Sequence, residues 1–214
     1  MLFITFEGIE GCGKSTQAKR LVDRLREFEI PLVLTFEPGG TRVGRDIRQI
    51  LLDSRNRDLT PLSELFLYAA DRAQHVAEVI KPALEQGKWV VCDRFFDATT
   101  VYQGHARAQD MTLIQTLNEK TSPGIIPNIT FLLDCPVDVG LKRARKRNQG
   151  LVHKGQDRFE MEEKDFHEAV REGYLYMARE NRERFVVVDG ALEENELEAV
   201  IFEHVRPHLA AQAH

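Results

Sequence analysis

The sequence predicts an α/β domain of three layers, α/β/α, with a five-stranded parallel sheet at its centre. Three observations carry that expectation. Five short apolar runs of strand length are spread along the 214 residues. Most are near-continuous rather than alternating, the pattern of strands covered by helices on both faces. The segments between them show helical spacing of apolar residues, and strand–helix alternation is what the crossovers of a parallel sheet require.

The first run is LFITFE at 2–7. A glycine-rich loop follows, then a helix over 14–28 with Ala18, Leu21, Val22, Leu25 and Phe28 on one face. PLVLTF at 31–36 is the second strand, and Pro-Gly-Gly turn chemistry ends it. Ile47, Ile50, Leu51 and Leu52 mark a helix over 45–52. The apolar-rich segment 62–86 reads as a long helix. Pro82 within it predicts a kink or a restart, because proline lacks an N–H and crowds the preceding turn. KWVVCD at 88–93, NITFLLD at 128–134 and RFVVVD at 184–189 complete the strands, with helices expected at 111–120, 137–147, 160–180 and 193–205. Residues 142–158, KRARKRNQGLVHKGQDR, are basic, polar and glycine-punctuated between two helices, and read as a mobile lid. No repeat or Gly/Ser linker divides the chain, so 1–214 reads as one domain.

Composition narrows the function. The net charge of −5 gives no global basic field for nucleic acid. Cys12, Cys92 and Cys135 are odd in number and form no C-x-x-C pair, as expected of reduced thiols in a cytosolic protein. No apolar run approaches the roughly 20 residues of a membrane span, and the first ten residues lack the basic start of a signal peptide. The chain is expected to be soluble and cytoplasmic. His204 and His208 are the only histidines at helical spacing, and no carboxylate or thiol joins them to make a metal site.

FEGIEGCGKST at 6–16 contains G-x-x-x-x-G-K-S between a strand and a helix, the context in which this pattern makes a P-loop. Gly8, Gly11 and Gly13 let backbone N–H groups approach phosphate oxygens, and the helix beginning near Lys14 adds its positive end. Lys14 can reach the β- and γ-phosphates and Ser15 can offer a hydroxyl to Mg²⁺. The loop alone leaves kinases, GTPases and ATPases open. No N-K-x-D motif for guanine is present, and the short chain with its arginine-rich insertion favours a small kinase.

Further residues point to the same crevice. Asp93 and Arg94 end a strand where ligands of open α/β sheets sit; Asp93 can hold Mg²⁺ directly or through water, and Arg94 an acceptor phosphate. Glu37 ends the second strand. Tyr68 and Arg72 share a helical face and could grip a base, although spacing alone favours a core aromatic beside a surface arginine. Thr99, Tyr102 and Gln103 could read a base and crowd a sugar, or belong to a helix whose N-terminus Asp97 caps. Arg143, Arg145 and Arg147, with Arg158 beyond, read as a solvated helix face or as arginines supplied to a phosphoryl-transfer site on closure.

FEGIEGCGKST, EPGGT, YAADRAQH, the DRF…YQG segment, LKRARKR and DRFE…FHEAVREGYL together resemble the bacterial thymidylate kinases over nearly the whole chain. The resemblance implies a P-loop NTPase fold, ATP and dTMP as substrates, Mg²⁺ with ATP, a closing lid and a homodimer. It assigns Gly8, Ile9, Glu10, Gly11, Cys12, Gly13, Lys14, Ser15 and Thr16 to ATP. Arg48 and Arg94 match arginines that bind the dTMP phosphate, Arg72 the one facing thymine, Tyr102 the tyrosine crowding the 2′ position, and Thr99 and Gln103 polar groups near the base. Glu10 matches a loop acid facing the acceptor's 3′-hydroxyl, and a loop without arginine goes with arginines in the lid. Tyr68 stands where phenylalanine is usual, Phe36 where arginine is frequent, and Ala98 where serine is common.

Overall fold

The computed structural model describes residues 1–148 and 158–210. Five parallel strands form one sheet: β1 (Phe3–Glu7), β2 (Leu32–Phe36), β3 (Trp89–Asp93), β4 (Ile129–Asp134) and β5 (Phe185–Asp189), in the order β2-β3-β1-β4-β5. Each begins one residue after the apolar run that predicts it and ends with that run. β1 is central, so the loop that follows it opens between the ends of β3 and β4. That is the switch point of the topology, where α/β sheets leave a crevice.

Alternation along β1 assigns its two faces. Ile4 and Phe6 join the larger apolar core with Leu21, Val22 and Leu25 of α1 (Lys14–Arg26). Phe3 points the other way, into a smaller cluster with Val76, Ile80 and Ala83. α2 (Arg42–Leu52) follows β2 and is capped by Thr41, whose hydroxyl accepts from Gly44 N at 2.9 Å.

The long apolar segment becomes α3 (Pro61–His75), a π-helical turn (Val76–Ile80) and α4 (Lys81–Glu85). The backbone stays helical through the whole stretch, and the irregularity expected at Pro82 takes the form of the π-helical turn just before it. After β3 come α5 (Phe96–Thr99) and a second π-helical segment (Thr100–Ala106). Asp97 does not cap this helix; Phe95 stands at the cap position, and Asp97 faces inward.

α6 (Met111–Thr121), α7 (Val137–Asn148), α8 (Lys164–Glu180) and α9 (Glu194–Ala210) complete the chain. α8 starts four residues later than its expected start at 160, because Arg158 and Phe159 are first tied down against α3 and the cleft. Residues 142–148 of the expected lid are helical and finish α7. Gly140, Leu141 and Ala144 bury one face of that helix, leaving its lysines and arginines outside. Residues 149–157 lie outside the described residues.

A polar seam runs through the core on the Phe3 face of the sheet. Arg184 makes two hydrogen bonds to Asp97, at 2.7 and 2.8 Å, and one to Thr130 at 3.0 Å; the Thr130 hydroxyl meets that of Thr5 at 2.8 Å. Asp97 is fully buried. Asp97→Ala leaves the guanidinium without its anion, and the expected loss is about 3–5 kcal/mol of stability. Urea unfolding checks this as a lower midpoint with an unchanged slope.

Candidate active site

The loop after β1 wraps the start of α1, and contact dictates two of its glycines, Gly8 and Gly11. Gly11 has φ +72°, and a Cβ there would lie 2.0 Å from the Gly140 carbonyl oxygen of α7. Loop and helix therefore touch backbone to backbone. Lys14 folds back on the loop, donating to Gly8 O at 3.0 Å and Ile9 O at 2.7 Å. The Ser15 hydroxyl donates to Asp93 Oδ2. The Ile9 side chain is buried, so its carbonyl is what it offers the site.

Arg94 has φ +70°, unusual for a residue with a side chain. The turn sends two consecutive residues to the two acids of the first strand and loop. Arg94 Nη2 donates to Glu10 Oε1 at 3.0 Å, while the Phe95 N–H donates to Glu7 Oε1 at 2.8 Å. Tyr102, carried by the second π-helical segment, also donates to Glu10 Oε1, at 2.6 Å, and accepts from Arg94 Nη2. Tyr174 of α8 donates to Glu7 Oε2 at 2.7 Å and accepts from Arg94 Nη1 at 3.1 Å. Burial alone would raise the Glu10 carboxyl, but His167, Arg94, Lys14 and Tyr102 around it hold it well below the usual carboxylate range. Glu7 goes the other way: burial, then Asp97, push it up to about 7.

Glu10, Lys14, Ser15, Asp93, Arg94 and Tyr102 line a cleft of about 900 Å³. One half lies along the loop and the start of α1, and Arg143 and Arg147 line it. Arg143 is fastened to Gly190 O at 2.8 Å, and Arg147 to Glu160 at 3.0 Å. The other half is built on Arg72, which is 1% exposed. Its Nε donates to Glu37 at 3.0 Å, its Nη1 to Asn118 at 2.9 Å and its Nη2 to Thr99 at 2.7 Å. His75 meets the other Glu37 oxygen at 2.9 Å. Arg48 reaches this half from α2, donating to Pro38 O at 2.8 Å. Tyr68, Tyr102 and Phe159 supply aromatic walls, with the Phe159 ring 5.7 Å from that of Tyr102. Gln103 lines the cleft, and its amide nitrogen is committed to Glu64 at 2.9 Å.

The thymidylate kinase family model matches residues 6–201. The chain belongs to the thymidylate kinase family. It is 50% identical to a thymidylate kinase of Geotalea uraniireducens over 97% of this chain and 98% of that protein. It is 56% identical to one of Desulfosudis oleivorans over 88% of each. The crystal structure of thymidylate kinase from Ehrlichia chaffeensis superposes with a TM-score of 0.77 at 32% identity, covering 95% of this chain and 98% of that one.

Of the residues that the sequence singles out, the loop from Glu10 to Thr16, both strand-end groups, the base-side residues and Arg143 and Arg147 border one cleft, and Arg145 does not. Gly8 and Ile9 do not line it. Arg158 does not border it: it is buried, donating to Leu51 O at 2.6 Å and to Glu64, which also takes Arg107 at 2.7 Å. A run of charges reads as solvated, and nothing in the run itself signals that its last member meets a buried glutamate 94 residues away. Asn118 carries no signal in the sequence, and Phe159, His167 and Tyr174 stand in the DRFE…FHEAVREGYL motif with no role attached to them. The i, i+7 spacing of the last two on α8 was the available signal.

The Glu7 value has a consequence for stability. Between pH 4.5 and about 7 the folded protein keeps a proton that the unfolded chain has lost. Stability contributed by this group is present at low pH and falls as the pH rises through that window, by up to about 1.4 kcal/mol per pH unit. In Glu7→Gln the pH dependence is expected to become shallower by that amount, which unfolding free energies of both proteins measured from pH 4.5 to 7.5 test directly.

Proposed function

We propose that the chain performs the family's reaction, phosphorylation of dTMP to dTDP, in this cleft, with ATP as donor. The observation that supports the reading most directly is Arg72. Three of its five N–H groups are held by Glu37, Asn118 and Thr99, which leaves two to face a base carbonyl. It stands at one end of a cleft whose other end is a phosphate-type loop with a free helix N-terminus.

The chemistry follows from charge. The acceptor's phosphate is already largely ionised near neutral pH, its second pKa being about 6, so no general base is required. The demands are neutralisation and in-line placement. Lys14 moves from the loop carbonyls to the β- and γ-phosphates. Arg94 and Arg48 hold the acceptor phosphate, and Arg143 and Arg147 meet the donor as the lid closes and water is excluded. Tyr102 crowds the 2′ position, Tyr68 and Phe159 flank the base with Thr99 and Gln103 beside it, and Glu10 faces the 3′-hydroxyl.

Ser15 Oγ and Asp93 Oδ2 are adjacent oxygens of the kind a hard cation takes. No cluster of three or more His, Cys, Asp or Glu donors exists among the described residues, which suits a cation completed by phosphate oxygens and water. When bound there, Mg²⁺ neutralises the ATP phosphates. Residues 1–214 act as one domain in the cytoplasm, where the buried free cysteines stay reduced. The chain pairs as a homodimer. α3 exposes Leu62, Phe66, Ala70 and Ala73 on one face, with Phe66 49% exposed and Ile50 of α2 44% exposed.

ADP release is measured with dTMP, dUMP, CMP, GMP and thymidine as acceptors. Release driven by dTMP well above the others is expected; release independent of acceptor would sink the reading. Arg94→Ala is expected to lower turnover with dTMP by about a hundredfold or more while ATP affinity changes less than about threefold. Sedimentation should show a dimer that Phe66→Asp dissociates; a monomeric parent protein would remove the dimer from the proposal.

A further inference from the structure

We infer that His167 is a positioning residue for Glu10: it fixes the second oxygen of that carboxylate and thereby sets how far the enzyme prefers an acceptor bearing a 3′-hydroxyl. This rests on the reading in which Glu10 faces the acceptor's sugar.

His167 lies in the first turn of α8 and is fully buried. Neither of its ring nitrogens has a hydrogen-bond partner among the described residues. Its Nδ1 stands 3.3 Å from Glu10 Oε2, which is also buried and without a hydrogen bond. Buried polar atoms are rarely left unpaired, and here two such atoms face each other just beyond good hydrogen-bond geometry. A small rotation of the carboxylate joins them.

The rest of the surroundings fix which job is left for the histidine. Glu10 Oε1 already takes Tyr102 at 2.6 Å and Arg94 at 3.0 Å, from the π-helical segment and the end of β3. Lys14 is the other cation acting on the carboxylate. With Oε1 doubly bound, the plane of the carboxylate is set only when Oε2 is held as well. The edge-on Phe166 ring, 5.6 Å away, packs beside the imidazole. Tyr174, on the same face of α8, does the corresponding work for Glu7 at 2.7 Å. A residue needed merely to fill space in this dry position would be apolar, since burying an imidazole without a partner is costly.

The test compares dTMP with 3′-deoxythymidine monophosphate in the full-length protein at saturating ATP and Mg²⁺. His167→Leu is expected to lower kcat/KM for dTMP about tenfold, and for the 3′-deoxy acceptor less than about twofold. His167→Asn can place an amide N–H where Nδ1–H stands and is expected to restore most of the loss; His167→Gln, whose amide falls nearer Nε2, is not. Should His167→Leu fail to fold, the asparagine–glutamine pair makes the same comparison. Equal losses on both acceptors, or no loss on dTMP, overturn the inference. A parent protein that does not phosphorylate dTMP refutes the functional reading instead. A parent protein and Glu10→Gln that are both indifferent to the 3′-hydroxyl remove Glu10 from the sugar, and the inference with it.

Discussion

Two carboxylates three residues apart, Glu7 and Glu10, are taken out of water where the central strand runs into its loop. A buried acid must be matched or neutralised, and the architecture answers each differently. Glu7 receives an N–H and a hydroxyl but no cation in direct contact, and its proton affinity rises. Glu10 receives a guanidinium, a hydroxyl and an imidazole neighbour, and stays ionised. The partners come from the end of β3, the second π-helical segment and α8. Those elements converge on the loop and meet its two acids there.

The arrangement leaves a cleft whose cations already have hydrogen-bond partners. Arg94 leans on Glu10, Arg72 on Glu37, Arg143 on a backbone carbonyl and Lys14 on the loop itself. Each cation that the proposed reaction uses is held near its working place by a weaker partner than a phosphate. In the proposed reaction, polyanions exchange these contacts for their own, with little reorganisation of the surrounding framework. A loop that carries acids among its anion-binding groups is consistent with this logic, since the acids store and aim the arginines.

How much of this can be read from the chain depends on the range of the interaction involved. The strands are legible because burial on both faces writes itself into consecutive residues, as in WVVCD and ITFLLD. The phosphate loop is legible because its geometry is local. Tyr68 and Arg72 are legible as a pair, yet not as cleft residues. What decides them is Glu37, Asn118 and Thr99, brought from three other elements. Asp97 reads as a cap because an acid near a helix start normally is one; its partner Arg184 is 87 residues away. The π-helical segment 100–106 has no periodic signature, but it turns Val101, Tyr102, Gln103 and Gly104 inward together. Arg158 and His167 follow the same rule, since their meaning lies in Glu64 and Glu10.

The contact between Gly11 and Gly140 bears on how this sequence can drift over generations. A methyl group at position 11 would collide with the carbonyl of residue 140, and one at 140 would come within 2.5 Å of the Glu10 carbonyl. The two positions are 129 residues apart, yet a side chain at either forces the backbone of the facing element to give way. Neutral variation along α7 is therefore confined to the side that faces away from the loop, where its basic residues stand. The helix can exchange lysine for arginine or shift a charge by a turn, while the face that meets the loop stays bare.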